Sequence, residues 1–181
     1  MANNFFLTGP PRRGKSSLII NFIPKIKGSV GGFVVQRMLL SGKTIAFRLA
    51  DLGEEPYRLT QPFQGRIPDP VIYKKENSSR WTPVLSTFNQ KGVRALKRTA
   101  NCSLVIMDEL GIFEEEALPF QQAVLERLNS PQPVLGVIKD KASPFLDRVR
   151  ATPGMEIHRI EEKETPSLLE GFLRERRLLA R

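Results

Sequence analysis

Gly9-Pro10-Pro11-Arg12-Arg13-Gly14-Lys15-Ser16 reads G-x-x-x-x-G-K-S, the phosphate-binding pattern known as Walker A. Ahead of it Asn4-Phe5-Phe6-Leu7-Thr8 is a short apolar run. Behind it Ser17-Leu18-Ile19-Ile20-Asn21-Phe22-Ile23 continues at helical spacing until Pro24, which is predicted to stop the helix. Strand, glycine loop and helix are the context that separates a nucleotide site from a surface turn. A triphosphate has to be held by backbone N–H groups, and only a tightly wound loop aims several of them inward. Gly9 and Gly14 permit that winding. The helix start adds partial positive charge and free donors, Lys15 can reach the β and γ phosphates, and the Ser16 hydroxyl can ligate Mg²⁺. The expected nucleotide-binding residues are therefore Gly9, Pro10, Pro11, Arg12, Arg13, Gly14, Lys15, Ser16 and Ser17.

Ser103-Leu104-Val105-Ile106-Met107-Asp108-Glu109 is the second signal, an apolar strand that ends on two acids, as a Walker B site requires. An aspartate at a strand end can hold Mg²⁺. Asp108 is accordingly expected in the metal shell with Ser16. Glu109, next to it on a rigid element, is expected to polarise the attacking water, with Lys15 as the other catalytic group. Consecutive strand residues point to opposite sides, which is why the two acids are given different work.

With 181 residues, 40% of them hydrophobic, the chain is long enough for one well-buried domain, expected over 1–181. A net charge of +9 suits polyanionic ligands. It does not by itself specify nucleic acid. One cysteine, Cys102, and one histidine, His158, exclude a disulfide framework or a Cys/His metal centre built from this chain. Cys102 is expected to pack and His158 to be a partly exposed strand residue. No basic leader opens the sequence and no apolar run is long enough to span a bilayer, so a cytoplasmic protein without a membrane partner is expected.

Between the two motifs, Gly31 to Met38 and Thr44 to Leu52 read as strands joined at Ser41-Gly42-Lys43, a β-hairpin. Gly53 to Pro83, rich in proline, is expected to form loops and short strands, with Tyr57, Tyr73 and Trp81 anchoring it to the core. Ser86 to Ala100 reads as a helix interrupted at Gly92. Glu114-Glu115-Glu116 is expected to open a helix running to about Leu128, with its acids in the favourable field of the macrodipole. Strands over Pro133–Lys139 and Met155–Ile160 alternate with helices over Pro144–Arg150 and Ser167 to about Leu179. The basic end of the last helix, Arg174 to Arg177, reads as a solvated face. That alternation predicts an α/β fold with a mostly parallel sheet covered on both faces.

These motifs, the Gly32-Phe33 hairpin, Asp108-Glu109-Leu110-Gly111 with Glu114, Gly92-Val93-Arg94-Ala95-Leu96, Val134-Leu135-Gly136-Val137-Ile138 and Ser143-Pro144-Phe145 together resemble the thermophile-type nucleoside-triphosphatases. The resemblance covers nearly the whole chain. It implies a RecA-like P-loop domain and Mg²⁺-dependent hydrolysis of nucleoside 5′-triphosphates with little base selectivity. Gln36, Arg37 and Leu39 replace an acidic pair and an arginine of the family pattern, and Ile112 stands where that pattern has lysine. A missing cation beside a transferring phosphoryl group implies slower hydrolysis. Arg12, Arg13 and Arg37 are the candidate replacements.

Two other readings use the same motifs. In a nucleotide kinase, the Gly53 to Pro83 region would bind the acceptor. In a nucleotide-gated module, the basic surface would engage nucleic acid. Nucleic acid is not expected to be an obligate partner, because no stacking platform or recognition helix accompanies the charge. No obligate protein partner is implied either.

Overall fold

β1 (Asn4–Thr8) is buried along its whole length, sending Phe5 and Leu7 into one apolar cluster and Phe6 into another. That split follows from the two-residue period of a strand with a layer on each face. The computed structural model describes residues 3–58, 60–75 and 80–179. Within the proline-rich stretch, positions 59 and 76–79 lie outside the described residues.

The glycine loop leads into α1 (Lys15–Phe22). A short 3₁₀ turn (Ile23–Lys25) carries the chain past Pro24, which sits in its first positions. The α-helix ends before Pro24 as expected, and Pro24 lies in the first positions of the tighter turn, where its missing N–H costs nothing. β2 (Val30–Leu40) and β3 (Lys43–Asp51) form the expected hairpin, with Ser41 and Gly42 at φ 47° and 76° in the turn. Short strands β4 (Thr60–Pro62), β5 (Pro70–Lys74) and β6 (Trp81–Pro83) follow. A continuous helical stretch comprises α2 (Leu85–Thr87), a π-helical turn (Phe88–Gly92), α3 (Val93–Lys97) and a 3₁₀ turn (Arg98–Asn101). β7 (Leu104–Leu110), α4 (Leu118–Leu128), β8 (Val134–Ile138), α5 (Pro144–Arg150), β9 (Met155–Arg159) and α6 (Thr165–Glu175) complete the order.

The strands make one sheet in the order β6-β5-β3-β2-β7-β8-β1-β9, with β4 paired on the far part of β2. From β2 to β9 every pairing is parallel, and β3, β5 and β6 extend the edge in antiparallel fashion. α1 and α6 pack through Ile19, Phe22, Leu169, Phe172 and Leu173 on one face. The other face is covered by α3, α4 and α5 through Leu96, Phe120, Val124, Phe145 and Val149. β8, apolar throughout and fully buried, lies between β1 and β7. At Gly136 in its centre a Cβ would stand 2.4 Å from the Phe6 ring and 2.7 Å from the Met107 carbonyl oxygen, so the neighbouring strands close on bare backbone.

Two expectations need correction. α4 begins at Leu118, not Glu114, because Ala117 adopts a non-helical conformation and Pro119 occupies the first turn. No acid lies in that turn, and Glu115 Oε1 instead accepts from the Phe145 N–H at the start of α5. The basic C-terminal end is also not uniformly solvated. Arg174 pairs with Glu170 at the surface, but Arg176 lies over the Phe172 ring at 3.8 Å with its side chain 15% exposed. His158 behaves as expected, partly buried in β9 and stacked on Phe5 at 4.6 Å.

Candidate functional site

The carboxyl ends of the parallel strands are where an open α/β sheet leaves room for a ligand, and the glycine loop after β1 lies there. Gly9 and Gly14 both take left-handed backbone, at φ 116° and 84°. A Cβ on Gly9 would also meet Glu161 Oε2 at 2.7 Å. Arg12 adopts φ 62°, an uncommon conformation for a residue with a side chain. Lys15 is 8% exposed, and its Nζ donates to the carbonyl oxygens of Gly9 at 2.9 Å and Pro10 at 2.7 Å. Burial lowers its pKa, opposed by the charges of Glu109, Glu161 and Asp108.

The second signal meets the first directly. Ser16 Oγ donates to Asp108 Oδ1 at 2.9 Å, although the two residues are 92 positions apart. Asp108 is 2% exposed, and burial raises its carboxyl to about 6 against hydrogen bonds from Tyr57 and Ser16. The neighbouring Glu109 is different, with a side chain 33% exposed and Lys139 Nζ at 3.8 Å. The Asp108–Glu109 peptide is cis, and the register of β7 against β8 shifts between Asp108 and Leu110. One acid is enclosed and the other faces the cleft, across a point where the regular alternation of the strand is interrupted.

That cleft has a volume of about 830 Å³ and is lined at one end by Gly9, Pro10, Pro11, Arg12, Gly14, Lys15, Ser16 and Ser17. Glu109, Val137, Lys139, Asp140 and Lys141 continue it, and Val35, Arg37, Thr44, Phe47 and Trp81 form the far end. Arg13, exposed on the loop, is outside the lining, and Asp108 lies behind Ser16. Arg12, Lys15, Arg37, Lys139 and Lys141 outnumber the acids Glu109 and Asp140, which makes the cleft a basin for polyanions. Ile112, at the position of the missing family lysine, is 44% exposed and not part of the lining.

Sequence reasoning missed Lys139, Glu161 and Tyr57. Lys139 directly follows an apolar strand between the two motif strands, so its place at a parallel strand's carboxyl end was a usable signal. Glu161 and Tyr57 carried no local signal. Tyr57 does pack against the core as expected, but its hydroxyl also donates to Asp108 Oδ2 at 2.5 Å. Burial, followed by the Asp108 charge, raises its pKa and keeps the phenol protonated. Trp81 likewise packs on Phe47, with ring centroids 5.4 Å apart, while lining the cleft.

Glu114, 4% exposed, accepts from the Gly111 N–H at 3.2 Å. Burial raises its carboxyl from the ordinary 4.5 to about 7, with the Glu109 charge adding to the rise. The folded state therefore binds this proton more tightly than the unfolded chain. Its stabilising effect is complete below about pH 4.5 and lost as pH rises through about 7. Glu114→Gln is accordingly expected to be more stable than the parent at pH 8, by about 3 kcal/mol at most, and to match it near pH 4. Thermal melts at the two pH values check this. A variant less stable than the parent at pH 8 would mean that the charged carboxylate is held by favourable partners.

A carboxylate joined to a hydroxyl at the end of a phosphate-type loop is a donor set of hard oxygens that suits a divalent cation. Comparison with known proteins agrees with this chemistry. Residues 4–173 match the NTPase family. Nucleoside-triphosphatase THEP1 of Thermotoga petrophila is 29% identical over 171 residues, covering 92% of this chain and 89% of that one. The human cancer-related nucleoside-triphosphatase is 29% identical over 183 residues, covering 93% and 94%. The crystal structure of THEP1 from Aquifex aeolicus superposes with a TM-score of 0.71 at 18% identity, over 98% of this chain and 99% of that one, and so shares the fold. With a family match across nearly its whole length, the chain belongs to the NTPase family of P-loop nucleoside-triphosphate hydrolases.

Proposed function

We propose that this enzyme hydrolyses nucleoside 5′-triphosphates to the diphosphate and phosphate with Mg²⁺, using the cleft between the Gly9–Ser16 loop and Glu109. The observation that carries the reading is the Ser16 Oγ to Asp108 Oδ1 bond at 2.9 Å, which joins the phosphate loop to the acidic strand. Backbone N–H groups of the loop and the start of α1 hold the β and γ phosphates. Lys15 exchanges its bonds to the Gly9 and Pro10 carbonyls for phosphate oxygens. Ser16 and Asp108 hold the cation, which when bound neutralises charge on the β and γ phosphates. Glu109 orients a water in line with the γ phosphorus and accepts its proton as the bond to the β,γ-bridging oxygen breaks. Lys139, 3.8 Å from Glu109, supplies a cation at the acidic end of the cleft, where Ile112 cannot.

Phosphate release measured across the four ribonucleoside triphosphates, with and without Mg²⁺, tests the assignment. Release is expected with all four and is expected to be lost with chelator. Turnover that survives chelation would remove the metal from the reading. Added RNA is expected to leave the rate nearly unchanged at physiological salt, since the basic residues gather around the cleft and along the chain without a base-reading element. A tenfold stimulation that fades as salt rises would promote a nucleic-acid-gated reading instead.

A second reading, phosphoryl transfer to an acceptor, is favoured by the far end of the cleft. Val35, Arg37, Thr44, Phe47 and Trp81 lie on β2, β3 and β6, beyond β7 from the loop strand. An acceptor bound there would stand on the far side of the acids from the loop, and Phe47 with Trp81 offers a surface for a planar group. Trp81 is the sole tryptophan, so its fluorescence reports occupancy of this end. Quenching by a nucleoside monophosphate, together with suppressed phosphate release, would support transfer. No quenching leaves water as the acceptor.

A further inference from the structure

Asp108 has both carboxylate oxygens engaged by hydroxyl groups, and the two donors come from different parts of the fold. Ser16, at the start of α1, takes Oδ1 at 2.9 Å. Tyr57, on the segment leaving β3, takes Oδ2 at 2.5 Å and approaches the Ser16 carbonyl oxygen at 3.4 Å. No feature of the phosphate-loop motif calls for this tyrosine.

The position of Tyr57 is set by a clamp of ion pairs two residues upstream. Glu55 receives Arg48 through Nη1 at 2.7 Å and Nη2 at 2.6 Å, and Lys91 at 3.1 Å. Lys91 also reaches Asp69 at 2.6 Å. Arg48 is 3% exposed and donates to Gln36 Oε1 at 2.8 Å. Gln36 is one of the departures from the family pattern. Being neutral, it accepts from Arg48 without competing as a second anion, which leaves the guanidinium fork to Glu55. The N–H groups of Glu54 and Glu55 turn back onto the Asp51 carbonyl at 3.0 and 2.9 Å, shortening the path from β3 to Tyr57. β2, β3 and the π-helical turn therefore place a phenol against the acidic strand.

We propose that Tyr57 is a positioning residue of the metal shell, whose hydroxyl holds Asp108 Oδ2 and so turns Oδ1 toward Ser16, where the cation is held. The inference rests on the placement of the metal at Ser16 and Asp108. Outer partners of this kind orient a ligating carboxylate, and losing one typically costs about 10- to 100-fold in metal affinity. Tyr57 touches neither phosphate nor water in this scheme, so its loss weakens metal binding without removing the reaction.

The test is Mn²⁺ binding to the full chain in the presence of inorganic triphosphate, read from the resonance signal of free Mn²⁺. Tyr57→Phe keeps the ring and removes the hydroxyl. It is expected to weaken Mn²⁺ by about 10- to 100-fold and to raise the metal concentration needed for half-maximal turnover, while turnover at saturating metal recovers. Glu55→Gln, which loosens the clamp, is expected to shift metal affinity in the same direction by less. Parental or tighter affinity in Tyr57→Phe would overturn the proposal, leaving the hydroxyl as a cap on a buried carboxylate. Asp108→Asn separates this from the reading beneath it. If that variant also binds Mn²⁺ normally, the metal site itself is misplaced; if it loses Mn²⁺ while Tyr57→Phe does not, only the role of Tyr57 falls.

Should Tyr57→Phe fail to fold, a Tyr73→Phe protein reads the same bond. Tyr57 is then the one tyrosine left of the two in the chain. Its ultraviolet band is expected to shift when Mn²⁺ and inorganic triphosphate are added, because the cation draws charge from Asp108. An unmoved band would overturn the proposal.

Discussion

Lys15→Ala is expected to lower nucleoside-triphosphate turnover by at least on the order of a hundredfold and to weaken binding of the triphosphate. The Lys15 ammonium is held within the loop itself. It is nearly buried, held by the Gly9 and Pro10 carbonyl oxygens, and its burial lowers its pKa while three acids raise it. Such a group has already lost most of its water, so exchanging two neutral carbonyls for phosphate oxygens gains charge–charge attraction with little further desolvation. Alanine leaves the loop carbonyls facing the anion with no cation between them. Lys15→Arg is not expected to rescue, because a planar fork does not fit a position built for a compact charge. Phosphate release and calorimetric binding of a non-hydrolysable triphosphate check both parts. Near-normal turnover would take the loop out of the reaction.

Glu109→Gln is expected to keep nucleotide and metal binding and to slow single-turnover hydrolysis by roughly 10²- to 10⁴-fold, the usual contribution of a positioned base. The amide preserves size and one acceptor but cannot take a proton. The environment of Glu109 favours this role over the neighbouring acids. It lines the cleft with part of its side chain open to water, whereas Asp108 is enclosed behind Ser16. Glu114, the other acid nearby, is buried outside the lining with its carboxyl protonated up to about pH 7. Parental single-turnover rates in Glu109→Gln would show that another group positions the water, and the same measurement on Lys139→Met would then ask whether the cation at 3.8 Å does so.

The parts of the site that could be read from the sequence are those whose information is local. Gly9 to Ser16 encode a loop by backbone conformation alone, and Asp108 is marked by the apolar run that precedes it. The layered sheet followed from the same alternation of strand and helix, and the hairpin from Ser41-Gly42. Tyr57 and Glu161 were illegible because they reach the site from segments whose own patterns describe only a proline-rich loop and a charged turn. The start of α4 was misplaced for a different reason. The three glutamates carry a macrodipole signal, yet Pro119 fixes the first turn by geometry while exposed acids contribute only tenths of a kcal/mol there. Gly92 was read as an interruption, but the chain winds through it in a wider turn so that Phe120 can sit where its side chain would be, 2.7 Å away.

The phosphate loop leaves β1 and the acids leave β7, with a single strand between them. In the proposed site, the span that a triphosphate and its cation would bridge is two interstrand spacings, a dimension of the sheet that neither motif contains. Because β8 passes Phe6 and Met107 at Gly136 with no room for a methyl group, enlarging that residue would widen the gap and pull Ser16 from Asp108 before either motif had changed. In the proposed site, the distance between the loop and the acids is set by a hydrogen atom in the middle of the sheet, on a residue outside the cleft.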